Sequence, residues 1–244
     1  MDRQPCALDV LQNKAARIWE KAGLLQTPIT ITARTLSTQE AIGDPEGDDF
    51  PLQKGKERLM EAVFLGSRGQ AFTDQFGDFS GSLADVADMP LGNNFRRAVL
   101  VCAVNATARH LGLCDRTIHC RDKEPGQCAG LFSEYISARY GAPRIAQVGF
   151  QPKIIEALAK RFEMRVLDLD PDNIGTTRHG APVEGPAKQL EVLDWADLWV
   201  VTGSTLANDT LGDFLGTKPV VFYGTTIAGT AALLGLERFC AMAT

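Results

Sequence analysis

At 244 residues the chain is long enough for one large domain or two of ordinary size. Hydrophobic residues at 45% and charged residues at 23% mark a globular chain rather than a disordered one. With 25 Lys and Arg against 30 Asp and Glu, the formal net charge of −5 argues against a protein devoted to gripping nucleic acid. No apolar run approaches the ~18–20 residues that span a bilayer, so no membrane partner is expected. Residues 1–23 lack the order of a signal peptide, which predicts a cytoplasmic chain. Its six cysteines (Cys6, Cys102, Cys114, Cys120, Cys128, Cys240) are then expected to be reduced, without a disulfide framework.

In chain order, apolar residues at Leu8, Leu11, Ala15, Ile18, Ala22 and Leu25 predict a helix. The β-branched run Pro28–Thr35 predicts a strand, and Ser37–Lys56, with Gly43, Pro45, Gly47 and Pro51, a loop. Residues Glu61–Leu65 and Gln70–Thr73 predict a hairpin turning at Ser67–Gly69. A helix follows over Asn94–His110, with Phe95, Ala98, Val99, Cys102 and Ala106 on its buried side. After an amphipathic stretch around Leu131–Tyr140, four short apolar strands (Arg144–Gly149, Arg165–Leu169, Asp197–Thr202, Pro219–Tyr223) alternate with helical segments. That pattern predicts α+β for the first part and a doubly wound parallel sheet, covered on both faces, for the second. The expected boundary lies within residues 111–143, giving units of 1–112 and 113–244.

Ligands in such sheets sit at the carboxyl ends of the strands, which directs attention to four turns. Only Gly149 of the first turn fits a dinucleotide fingerprint; Phe150, Gln151 and Pro152 follow, which disfavours NAD. Asp168 and Asp170, two apart at a strand end, share a face and suit a ribose hydroxyl or a hard cation. Asn173 stands where an EF-hand loop following Asp168 would need glycine, which rules that motif out. Gly203, Ser204 and Thr205, then Gly224, Thr225 and Thr226, offer hydroxyls and helix-start amides at two strand ends, a setting for an anionic or polar group. Ser204 makes a poor hydrolase nucleophile: Thr202 and Leu206 flank it where glycines belong, and no histidine follows it. The Cys114, His119, Cys120 and Cys128 spacing lacks paired zinc knuckles, and free thiols are the expected state.

Several strings are long and unusual: Asp168–Gly175, Thr202–Asn208, Phe222–Gly229 and Leu236–Cys240, with His119-Cys120 ahead of Glu124-Pro125. Together they resemble the heavy-metal chelation domain family, first catalogued as a domain of unknown function, over about residues 105–240. The N-terminal part, including Gln70–Thr73, resembles its companion, an enolase N-terminal-like domain. The resemblance implies that domain followed by a Rossmann-like one, with a polar cleft between them. It also implies a cleft set of Asn105, Phe150, Gln151, Pro152, Asp168, Asp170, Asn173, Ser204, Thr205, Asn208, Thr225 and Thr226. Asp209 stands where the family pattern leads one to expect glycine. The reading that follows is a protein binding a metal ion or a small metal-chelating metabolite, with a metal ion as the candidate cofactor and Asp168 and Asp170 as its ligands. The rival is a transferase using a nucleotide-like cosubstrate such as S-adenosylmethionine, with Asp168 on the ribose.

Overall fold

The computed structural model of the protein describes residues 6–33, 57–216 and 218–244. The loop expected over Ser37–Lys56, and Arg34 and Thr35 of the first expected strand, lie outside the described residues. The first helix, α1 (Ala7–Lys21), buries Leu8, Leu11, Ala15 and Trp19, and the Trp19 indole donates to the Thr107 hydroxyl at 2.9 Å. Strands β1 (Pro28–Thr32), β2 (Arg58–Phe64), β3 (Ser67–Thr73) and β4 (Phe79–Ser82) form an antiparallel sheet in the order β3-β2-β1-β4. The hairpin turns at Leu65 and Gly66, both at positive φ (47° and 81°), two residues earlier than the sequence suggests. Positive φ at both central residues matches the twist of the flanking strands, as in type I′ turns. Gly69 therefore serves another purpose.

That purpose is contact with the helix. After the short α2 (Leu83–Ala87), α3 runs over Asn94–His110 and is buried continuously from Ala98 to Ala108. The one-sided burial expected from the sequence is thus exceeded, because the helix lies between two layers. On one side, a Cβ on Gly69 would stand 2.2 Å from the Ala106 amide nitrogen. On the other, a Cβ on Gly229 would meet Val104 Cγ1 at 2.9 Å and Asn105 Oδ1 at 3.0 Å. Neither approach tolerates a side chain.

A second helix pair, α4 (Glu124–Tyr140) and α5 (Pro152–Ala159), flanks β5 (Ile145–Val148) in sequence. Next come β6 (Met164–Leu167), β7 (Thr177–Arg178), β8 (Ala181–Glu184), α6 (Gln189–Trp195), β9 (Leu198–Thr202), α7 (Ser204–Ala207), β10 (Val220–Tyr223), α8 (Ala228–Leu234) and β11 (Arg238–Phe239). The sheet order is β11-β10-β9-β5-β6-β8-β7, parallel except for the β7–β8 pair. Alternate residues feed opposite cores. Leu198 and Val200 pack with Phe132, Ile136, Ile155 and Leu158 of α4 and α5. Trp199 and Val201 join the core on the other face, which continues through Val99 and Cys102 to Ile31 and Phe64 of the antiparallel sheet. Both faces of the second sheet are covered, and one core runs without a break into the first. No helix among the described residues is long and apolar enough to cross a membrane, and all six cysteines are free thiols.

Replacing Gly69 by Ala should destabilise the protein by about 1–3 kcal/mol, because the new methyl group meets helix backbone. Gly130→Ala, on α4 with open space around it, should instead be neutral or stabilising by up to ~1 kcal/mol. Urea unfolding of the two variants checks the contrast.

Candidate functional site

The order in which strands are added reverses between the parallel neighbours β5 and β9, the switch point of the second sheet. At its carboxyl ends opens a cavity of about 810 Å³, whose far wall comes from the antiparallel sheet and α3 through Glu57, Phe72, Asp74 and Asn94. Gly149 makes the floor possible: its φ is +88°, and a Cβ would stand 2.6 Å from Thr202 Cγ2. The buried Tyr223 hydroxyl closes the floor, lying 3.1 Å and 3.0 Å from the carbonyl oxygens of Val148 and Gly149. Burial pushes that phenol up, so it stays protonated and is no general base.

Of the residues singled out in the sequence, Phe150, Gln151, Asp168, Asp170, Asn173, Gly203, Ser204, Thr205, Asn208, Gly224, Thr225 and Thr226 all line this cavity. Two do not. Pro152 is buried at the first position of α5, where its missing N–H goes unneeded. Asn105 lies fully buried in α3 behind the wall. Its Nδ2 donates to the carbonyl oxygens of Gln70, Thr225 and Thr226 at 2.8–3.1 Å, and its Oδ1 accepts from the Gly229 amide at 2.7 Å. It shapes the turn rather than facing the cavity.

The local roles also differ from those the sequence suggests. Asp168 Oδ2 accepts from the Phe150 amide and Oδ1 from the Asp170 amide, each at 2.7 Å, so this carboxylate organises both turns. Asp170 Oδ1 accepts from the Asp172 amide at 3.0 Å, a local turn bond. The Gln151 side chain caps α5 through the Ile154 amide at 2.6 Å. Thr205 donates to the Thr202 carbonyl at 2.8 Å, and Thr226 Oγ1 accepts from the Phe72 amide at 3.1 Å, tying the two sheets together. The helix that starts at Ser204 is four residues long, so little is left of an anion cradle there. Among the described residues that line the cavity, three buried side-chain atoms have no partner: His119 Nδ1, Asn173 Oδ1, in a residue 2% exposed, and Thr225 Oγ1, fully buried.

No Lys or Arg occurs among the described residues that line the cavity, whereas Glu57, Asp74, Asp168 and Asp170 all do. Burial, then the carboxylates of Asp168 and Asp74, push the Glu57 carboxyl up to about 7. The lining also includes Phe132, Phe239, His119, Cys120, Cys128 and Cys240. The Phe132 and Phe239 rings stack at 4.6 Å, and the His119 ring meets Phe72 edge-on at 5.2 Å. Strand alternation would have kept His119 and Cys120 apart, but this segment is no strand, and both reach the cavity. Burial holds His119 down to about 4 and pushes the Cys120 thiol up, so imidazole and thiol are both neutral at pH 7. Glu57 and Asp74 gave no signal in the sequence, since neither belongs to a motif or a periodic pattern.

The residues present do not fit a metal ion by themselves. Among the described residues no three His, Cys, Asp or Glu side chains form a metal-holding group, and the two oxygens of Asp168 already accept amides.

Residues 135–234 match the model of the family described as DUF364, "putative heavy-metal chelation". Over that stretch the chain is similar to this family. The description associates the DUF364 domain with heavy-metal chelation, and the match stops short of the antiparallel sheet. A solved DUF364 protein of unknown function from Pyrococcus horikoshii is 16% identical, with a TM-score of 0.54 over 90% of this chain and 79% of that one. Another, from Desulfitobacterium hafniense DCB-2, is 12% identical, with a TM-score of 0.50 over 73% and 72%. Both share the fold. No curated protein matches the chain. Asp209, where glycine was expected, has φ 59°, and its carboxylate pairs with Arg97 at 3.3 Å. Asp is among the few side chains tolerated in that region, which accounts for the exchange.

Two outcomes test this geometry. Because Glu57 holds its proton to a higher pH when folded than when unfolded, it makes stability fall as pH rises from about 5 through 7. Glu57→Gln should therefore flatten the pH dependence of urea unfolding between about pH 5 and pH 8. Asn105→Ala strands the Gly229 amide and should cost about 3 kcal/mol or more by the same assay.

Proposed function

We propose that the cavity binds a small metal-chelating metabolite together with its metal ion, the organic molecule supplying most of the coordination. The observation that carries this reading is the pairing of a roomy cavity at the switch point with the lack, among the described residues, of any three-residue metal group. Ligands favour such crevices, and about 810 Å³ is the size of a small-metabolite site. The polar end would hydrogen-bond the complex through Asn173, Ser204, Asn208 and Thr225, while Phe132, Phe150 and Phe239 would cover its apolar part. In this reading the two units, 1–112 with an enolase N-terminal-like fold and 113–244 with a Rossmann-like one, are the two walls of one site.

A transferase using S-adenosylmethionine is the second reading, favoured by one observation: Asp168 ends the strand beside β5, where an acid meets ribose hydroxyls in nucleotide-binding sheets.

Native mass spectrometry with nickel(II) alone, nickel–histidine and S-adenosylmethionine separates the two. The chelate should add as metal and histidine together at one site, with nickel alone showing no discrete addition. Thr225→Val should weaken chelate binding about tenfold, the cost of one hydrogen bond. Binding of S-adenosylmethionine without the chelate would replace this reading with the second.

A further inference from the structure

Resting on that reading of the cavity, we propose that its occupant carries net positive charge and is held through its own N–H or bound-water donors by Glu57, Asp74 and Asp168. The carboxylates reach the cavity from both walls: Glu57 just before β2 and Asp74 just after β3 on one, Asp168 just after β6 on the other. No cationic side chain among the described lining residues answers them. Arg178 stands behind the Phe150 ring, 5.8 Å from its centre, and does not line the cavity; His119 is neutral.

An acidic wall alone would mark nothing, because carboxylates commonly face solvent. The buried acceptor beside it is a separate observation. Asn173 lines the same cavity at 2% exposure, its Nδ2 lies 3.4 Å from Asp168 Oδ1, and its Oδ1 has no partner among the described residues. A buried oxygen without a donor is costly to leave so, and a donor-bearing ligand removes that cost. Thr225 Oγ1, also unpartnered, can accept from the same molecule. Acceptors thus dominate this end of the cavity. Only a ligand rich in donors satisfies them, and only a positive one offsets the carboxylates. Because Asp168 keeps its amide partners, recognition is through the ligand's outer atoms and not by direct metal coordination.

A pair of exchange-inert complexes of similar size and opposite charge tests this: hexaamminecobalt(III), which presents N–H donors, and hexacyanoferrate(III), which presents acceptors. Calorimetry should show one site for the cobalt complex and none for hexacyanoferrate. Glu57→Gln and Asp74→Asn should each weaken the cobalt complex about tenfold. Asp115→Asn, removing a carboxylate whose side chain is 82% exposed, should leave it unchanged. Equal weakening by all three variants would mean diffuse attraction to an acidic protein and would overturn the proposal, as would no binding of the cobalt complex. Tight hexacyanoferrate binding, or nickel–histidine binding unaffected by both cavity variants, would overturn the charge inference while leaving the cavity as a ligand site. Failure of nickel–histidine alone to bind, with the cobalt result as expected, would remove the chelate reading and keep this one.

Discussion

The structure depends on the close packing of one buried helix between two sheets. Asn105, at the centre of α3, joins the strand that holds Gln70 to the Thr225–Thr226 turn and to the start of α8. Gly69 and Gly229 permit the approach from either side. With all of these bonds made inside a dry core, the amide fixes the spacing between the layers more tightly than apolar contacts would. The cavity is the gap left where the layers diverge beyond this contact.

Continuity of the core has a consequence for the site. The Thr226 hydroxyl accepts from the Phe72 amide at 3.1 Å, and Asn105 of α3 donates to the Thr225 and Thr226 carbonyls at 3.1 Å, so the walls are tied at more than one point. A ligand entering the cavity meets surfaces already placed. Preorganisation of this kind lowers the cost of binding, because little ordering remains to be done.

The chemistry of the walls narrows what the protein can do. Ser204 Oγ lies 3.5 Å from the Thr202 hydroxyl, Tyr223 and Cys120 hold their protons, and His119 is neutral. The family model that residues 135–234 match is described by heavy-metal chelation.

The sequence by itself determined the parallel sheet and most of the residues at its carboxyl ends. Runs such as Leu198-Trp-Val-Val201 can only be buried on both faces, and glycine, aspartate and threonine after each strand mark turns where backbone and hydroxyls gather. Those signals are local, so they survive in one dimension. Tertiary structure alone decided which residues face the cavity. Asn105 shares the helical period of its neighbours, yet bonds across three elements; Gly69 reads as a turn and is a helix contact; Asp168 lines the cavity and also organises two turns. Glu57 and Asp74 meet Asp168 from more than 90 positions away in sequence. Their meeting is set by how two sheets pack on one helix, and no periodicity records that.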